Sequence, residues 1–88
     1  MAQGFGDRLR RARKMRGLKQ AELARVTSAD QATICRYETV GGAPTVERLK
    51  EFAEALGVSF AWLAIGEGED PTVGIEDDGA AGVEGAAQ

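Results

Sequence analysis

A chain of 88 residues, 43% hydrophobic and 28% charged, suits one globular domain whose small core would gain from association with a second copy. The lack of histidine and the single cysteine, Cys35, exclude an intramolecular disulfide framework and a His-based triad and argue against a zinc site. The net charge of −3 hides a segregation: residues 1–66 hold all eleven Lys and Arg against seven acidic residues, a net +4, while seven carboxylates from Glu67 onward bring the rest to −7.

Glycine and proline divide the chain into five predicted helices, and no stretch alternates with period two, so the expected fold class is all-α. The first helix runs from Phe5 to Arg16 and stops at Gly17. Phe5, Leu9 and Ala12 share a narrow face, with Arg13 about 40° from Leu9 at its edge. Arg8, Arg10, Arg11 and Lys14 are assigned to the solvent side. The second helix is short, Gln20 to about Val26, with Ala21, Leu23 and Ala24 as its apolar content. After Thr27-Ser28-Ala29, Asp30 can cap a third helix from Gln31 to Glu38. Ile34 and Tyr37 face inward there; Gln31, Ala32, Cys35 and Arg36 face outward, with Thr33 on the flank. The loop Thr39 to Pro44 follows. Thr45 can cap a fourth helix to Leu56, stopped by Gly57, with Val46, Leu49, Phe52, Ala53 and Leu56 on its apolar side. Ser59 caps a fifth, Phe60 to Ile65, ended by Gly66.

From Glu67 onward acidic residues, Gly and Ala dominate, too little apolar surface to offset ordering entropy. The expected organisation is a folded domain over 1–66 and a disordered acidic tail over 67–88. No secretory leader is visible, and the longest strongly apolar run, Phe60 to Ile65, is far too short for a bilayer, so a cytoplasmic location without membrane contact is expected. No nucleophile–base pair, metal spacing or phosphate loop occurs, so neither catalysis, cofactor, metal nor small-molecule substrate is expected. The basic unit with its acidic extension instead suggests a polyanion partner.

Two short helices joined by a tight turn, Gln20 to Val26 and Gln31 to Glu38, have the dimensions of a helix-turn-helix. A single α-helix fits the major groove of B-DNA, and the outward face of the second helix is small and polar with one basic residue. The segments Gly17-Leu18-Lys19-Gln20-Ala21-Glu22-Leu23-Ala24, Gln31-Ala32-Thr33-Ile34-Cys35-Arg36-Tyr37-Glu38, Ala55-Leu56-Gly57-Val58-Ser59 and Trp62-Leu63 with Gly66 follow in order. As a set they resemble the lambda-repressor-like (Cro/repressor, XRE) helix-turn-helix family, over about Phe5 to Gly66.

The resemblance implies a compact five-helix domain that binds double-stranded operator DNA as a homodimer, with the second helix of the pair reading bases. It implies base contacts from Gln31, Ala32 and Arg36 and phosphate contacts from Gln20 and Thr33. Arg10 and Lys14 on the first helix are expected to add phosphate contacts. It also implies an internal salt bridge between Arg13 and Glu38. Val58, Phe60, Trp62 and Leu63 are candidates for the dimer interface, although Trp62 and Leu63 could equally close the core. The chain departs from the family in the turn. Ser28 and Ala29 stand where Gly and a branched apolar residue are usual, and a left-handed Ser28 would cost about 1 kcal/mol or more. Lys19 is a weak cap, and Val40-Gly41-Gly42-Ala43 lacks basic residues. An alternative reading is a protein-interaction module, an antitoxin or adaptor, that binds a protein partner through the same fold or the tail.

Overall fold

The computed structural model describes residues 4–73. Its helices are α1 (Phe5–Met15), α2 (Gln20–Arg25), α3 (Gln31–Thr39), α4 (Val46–Leu56) and α5 (Phe60–Ile65). No strand occurs among the described residues. The three helix starts assigned to side-chain caps form in that way. Asp30 accepts from the Thr33 N–H at 2.8 Å, Thr45 from Arg48 at 3.1 Å, and Ser59 from Trp62 at 3.2 Å. At α2 the Lys19 ammonium cannot accept a bond, and the Glu22 carboxylate instead takes the Lys19 backbone N–H at 2.8 Å. Gly57 and Gly66 end α4 and α5 with φ of +66° and +76°, where a side chain would be strained.

Helices α2 and α5 have six residues each, too short to persist alone, so their stability is tertiary. α1 is the spine: it packs against α3, α4 and α5, while α2 leans on α3 and α5 on α4. Phe5, Leu9 and Ala12 of α1 meet Leu23 of α2, Ala29 of the turn, Ile34 of α3, Phe52, Ala53 and Leu56 of α4, and Trp62 and Leu63 of α5. Phe5, Tyr37 and Phe52 form an aromatic trio, with Tyr37 edge-on to both phenyl rings at 5.5 and 6.1 Å. α1 and α3 approach so closely that a Cβ on Gly6 would run into the Tyr37 carbonyl oxygen.

Three placements differ from the sequence reading. Val46 is exposed, because it opens α4 outside the helix–helix contact. Arg8 is buried rather than on the solvent side: its guanidinium donates to the Leu63 and Ala64 carbonyls, both at 2.9 Å. Residues 67–73 return to α1. Thr72 is buried, its N–H and hydroxyl donate to the Asp70 carboxylate, and Asp70 pairs with Arg11 at 3.1 Å. The remainder of the acidic segment, 74–88, lies outside the described residues, and so does the expectation of disorder there.

Candidate nucleic-acid interface

The candidate site is one side of α3. The helix is fixed at its start by the Asp30 cap and along its inner side by Ile34, fully buried, and Tyr37. The helical repeat then turns Gln31, Ala32, Cys35 and Arg36 outward, and all four are exposed. Thr33 is half-buried on the flank, its N–H held by Asp30. The Thr33 hydroxyl and then its backbone N–H hold the Asp30 carboxyl below the ordinary carboxylate range. The outward strip thus combines an amide, a methyl, a thiol and a guanidinium on a helix of nine residues. An amide and a guanidinium can each pair bidentately with a base edge.

Behind this strip one carboxylate ties three helices together. Glu38 Oε2 accepts from Arg13 Nε at 2.8 Å, and Oε1 accepts from Arg13 Nη2 at 2.8 Å and from the Gln20 amide at 3.1 Å. The remaining Arg13 nitrogen donates to the Leu18 carbonyl at 2.8 Å. The side chains of Arg13 and Glu38 are 8% and 2% exposed, so the pair is shielded from water. Gln20 sits at the first turn of α2 with its side chain turned to Glu38 rather than outward.

The turn avoids the costly left-handed Ser28. Among the described residues no side-chain-bearing residue has positive φ. The Thr27 hydroxyl donates to the Leu23 carbonyl at 3.0 Å, Ala29 is buried, and Ser28 is held by Glu51 of α4. Side-chain bonds supply what a left-handed glycine supplies elsewhere.

The arginines of α1 face inward more than the helical wheel suggests. Arg8 caps the C-terminal end of α5, and Arg16 Nε caps that of α4 through the Leu56 carbonyl at 2.6 Å. Neither α4 nor α5 has a basic residue in its own last turn, so α1 supplies the cation that each helix end favours. Arg11 pairs with Asp70 and, at 3.6 Å, with Asp7. Arg10 and Lys14 are half-buried on α1, with Arg10 4.0 Å from Asp7. Arg8 and Arg16 were missed as structural residues because their partners are 40 or more positions away along the chain.

Of the four dimer-interface candidates, Trp62 and Leu63 close the core, at 3% and 0% exposed, and so cannot meet a second copy in this fold. Val58 and Phe60 remain accessible and border a shallow groove with Lys50, Ala53 and Glu54. No helix among the described residues is long and apolar enough to cross a membrane.

A sequence profile of the helix-turn-helix family matches residues 9–63, which includes every element just described from mid-α1 to mid-α5. The chain belongs to the helix-turn-helix family. Over 64 residues this helix-turn-helix chain is 47% identical to the HTH-type transcriptional regulator PrtR of Pseudomonas aeruginosa. That alignment covers 73% of the chain but 25% of the relative, so the chain spans about a quarter of the length of that protein. In structure it is similar to the P22 c2 repressor, solved in complex with synthetic operator 9T in the presence of Tl+. The TM-score is 0.69 at 29% identity, covering 75% of this chain and 100% of the repressor chain. The five-helix arrangement is therefore the lambda-repressor-like form of the helix-turn-helix fold.

Proposed function

We propose that the chain is a transcription regulator, a repressor, that binds a pseudo-palindromic operator as a homodimer and reads it with α3. The observation that carries this reading is the outward strip of Gln31, Ala32, Cys35 and Arg36 on a helix whose other side is locked to the body. In this reading Gln31 pairs with an adenine, Ala32 touches a thymine methyl, and Arg36 takes a guanine or a phosphate. Thr33 and the backbone N–H at Gln20 meet phosphates, and Arg10 and Lys14 add positive field from α1. The likeness to a repressor solved on its operator supports it. Dimerisation through Val58 and Phe60 would set the two recognition helices about 34 Å apart, one turn of DNA.

The test is fluorescence anisotropy on DNA flanking the chain's own gene, titrated with salt. Gln31→Ala and Arg36→Ala are expected to weaken operator binding by about 1–3 kcal/mol and relax sequence preference, with the melting temperature unchanged. Equal binding of both variants and wild type to operator would end the reading. A protein partner is the second reading. It is favoured by the loop after α3, where Val40 is 80% exposed and residues 40–44 contain no cation. A stable complex with a neighbouring gene product, with no operator binding, would select it.

A further inference from the structure

The turn that launches α3 is gripped from outside the helix-turn-helix pair. Glu51 of α4 uses one carboxylate oxygen to accept from the Ser28 N–H at 3.0 Å and from the Ser28 hydroxyl at 2.6 Å. Two residues further on, Asp30 caps α3. Arg48 lies three residues before Glu51, on the same side of α4. Its positive charge reaches both carboxylates. At Glu51 it adds to the Ser28 hydroxyl and N–H in holding the carboxyl below its ordinary range. At Asp30 it adds to the Thr33 bonds in the same direction. α4 therefore supplies the acceptor that holds Ser28, two residues ahead of the Asp30 cap of the recognition helix.

These contacts matter because the turn has no left-handed residue to fix its course. A turn of ordinary backbone angles has many alternatives, and side-chain bonds must select among them. We infer that Glu51 is a positioning residue for DNA recognition: by gripping Ser28 it sets the direction in which the Gln31 end of α3 leaves the body. The inference rests on the DNA-binding reading above. Base-edge bonds weaken steeply with misalignment, whereas attraction to phosphate is long-ranged and tolerant. Loss of the grip therefore acts on discrimination rather than on general affinity. The grip is exposed to solvent, so its loss exchanges protein bonds for water bonds with little effect on global stability.

The experiment compares two duplexes with the full chain: one that the wild-type chain selects from a random-sequence library, and a scrambled duplex of equal composition. Glu51→Ala is expected to weaken binding to the selected duplex by about three- to tenfold, the scale of one net hydrogen bond. Binding to the scrambled duplex and the thermal midpoint stay as in wild type. Ser28→Ala, which keeps the backbone N–H, gives part of the same loss, and Glu51→Gln, which keeps an acceptor, recovers part of it. Combining Glu51→Ala with Ser28→Ala adds little to Glu51→Ala alone, because both remove one contact. The inference is overturned if Glu51→Ala binds the selected duplex as wild type does, or loses equally on both duplexes. Should Glu51→Ala melt early, the decision passes to Ser28→Ala, and an unchanged ratio between the duplexes overturns it there. If the wild-type chain selects no duplex at all, the DNA-binding reading falls and takes this inference with it.

Discussion

Replacing Arg13 by methionine removes the guanidinium that Glu38 and the Leu18 carbonyl share. Methionine keeps much of the stem volume, so the loss is mostly electrostatic. Glu38 would be left as a carboxylate with a side chain 2% exposed, still accepting from the Gln20 amide. Breaking a shielded pair of this kind costs roughly 3–5 kcal/mol, because the surviving charge is neither hydrated nor neutralised. A small domain of this size holds a total stability of roughly 4–10 kcal/mol, so Arg13→Met consumes a large share of it. The midpoint of thermal unfolding should fall by about 12 °C or more. Urea unfolding followed through the one tryptophan, Trp62, which is 3% exposed, reports the change directly. Arg13→Met combined with Glu38→Leu should cost less than the two single changes added, with a coupling of about 1–3 kcal/mol, since no lone charge remains. A single-variant loss under about 1 kcal/mol, the range of solvent-exposed pairs, would refute the reasoning, as would additive singles.

The close approach of α1 and α3 predicts that Gly6→Ala destabilises by about 1–3 kcal/mol in the same assay, whereas Gly4→Ala, with open space around it at the N-cap of α1, costs less than about 1 kcal/mol. Two α1 cations should separate cleanly. Arg8→Met frees the Leu63 and Ala64 carbonyls and lowers the melting temperature, while Lys14→Ala, at a half-buried position, lowers it less and reduces the salt slope of DNA binding by about one. At Asp70, burial works to raise the carboxyl, but the Thr72 hydroxyl and N–H and the Arg11 guanidinium outweigh it and hold it below the ordinary range. A folded-state value below the unfolded one stabilises the folded state above the ordinary carboxylate range, and this contribution is lost as pH falls through the lowered value. The Thr72 amide resonance should therefore lose its hydrogen-bonded shift at acid pH, and Asp70→Asn should abolish that titration.

The helices were legible because their signals are local. Asp30, Thr45 and Ser59 each bond a backbone N–H three residues ahead, and Gly57 and Gly66 stop their helices by backbone angle. The outward strip of α3 followed from Ile34 and Tyr37, whose inward placement settles the rest of the wheel. What stayed hidden depends on distant chain. Arg8 reads as solvent-facing by charge alone, yet its partners are the carbonyls of Leu63 and Ala64. A usable signal did exist: two helices ending at glycine without a terminal cation imply one donated from elsewhere. Trp62 and Leu63 were ambiguous because a buried anchor and an exposed one have the same side chain. What holds the turn is not legible at Ser28, because its partner Glu51 is 23 positions away. The acidic composition from Glu67 concealed a short polar fold-back at Asp70 and Thr72 that needs no apolar anchor.

The seam between α1 and α3 has a consequence for how such a chain changes over generations. A Cβ at Gly6 would be blocked by the Tyr37 carbonyl and Ile34 is fully buried, so the inner side of α3 is held close against α1. Its outward strip, Gln31, Ala32, Cys35 and Arg36, meets solvent and lies outside the core. On the proposed reading of DNA by α3, target preference can drift at these outward positions with little effect on the residues that hold the fold.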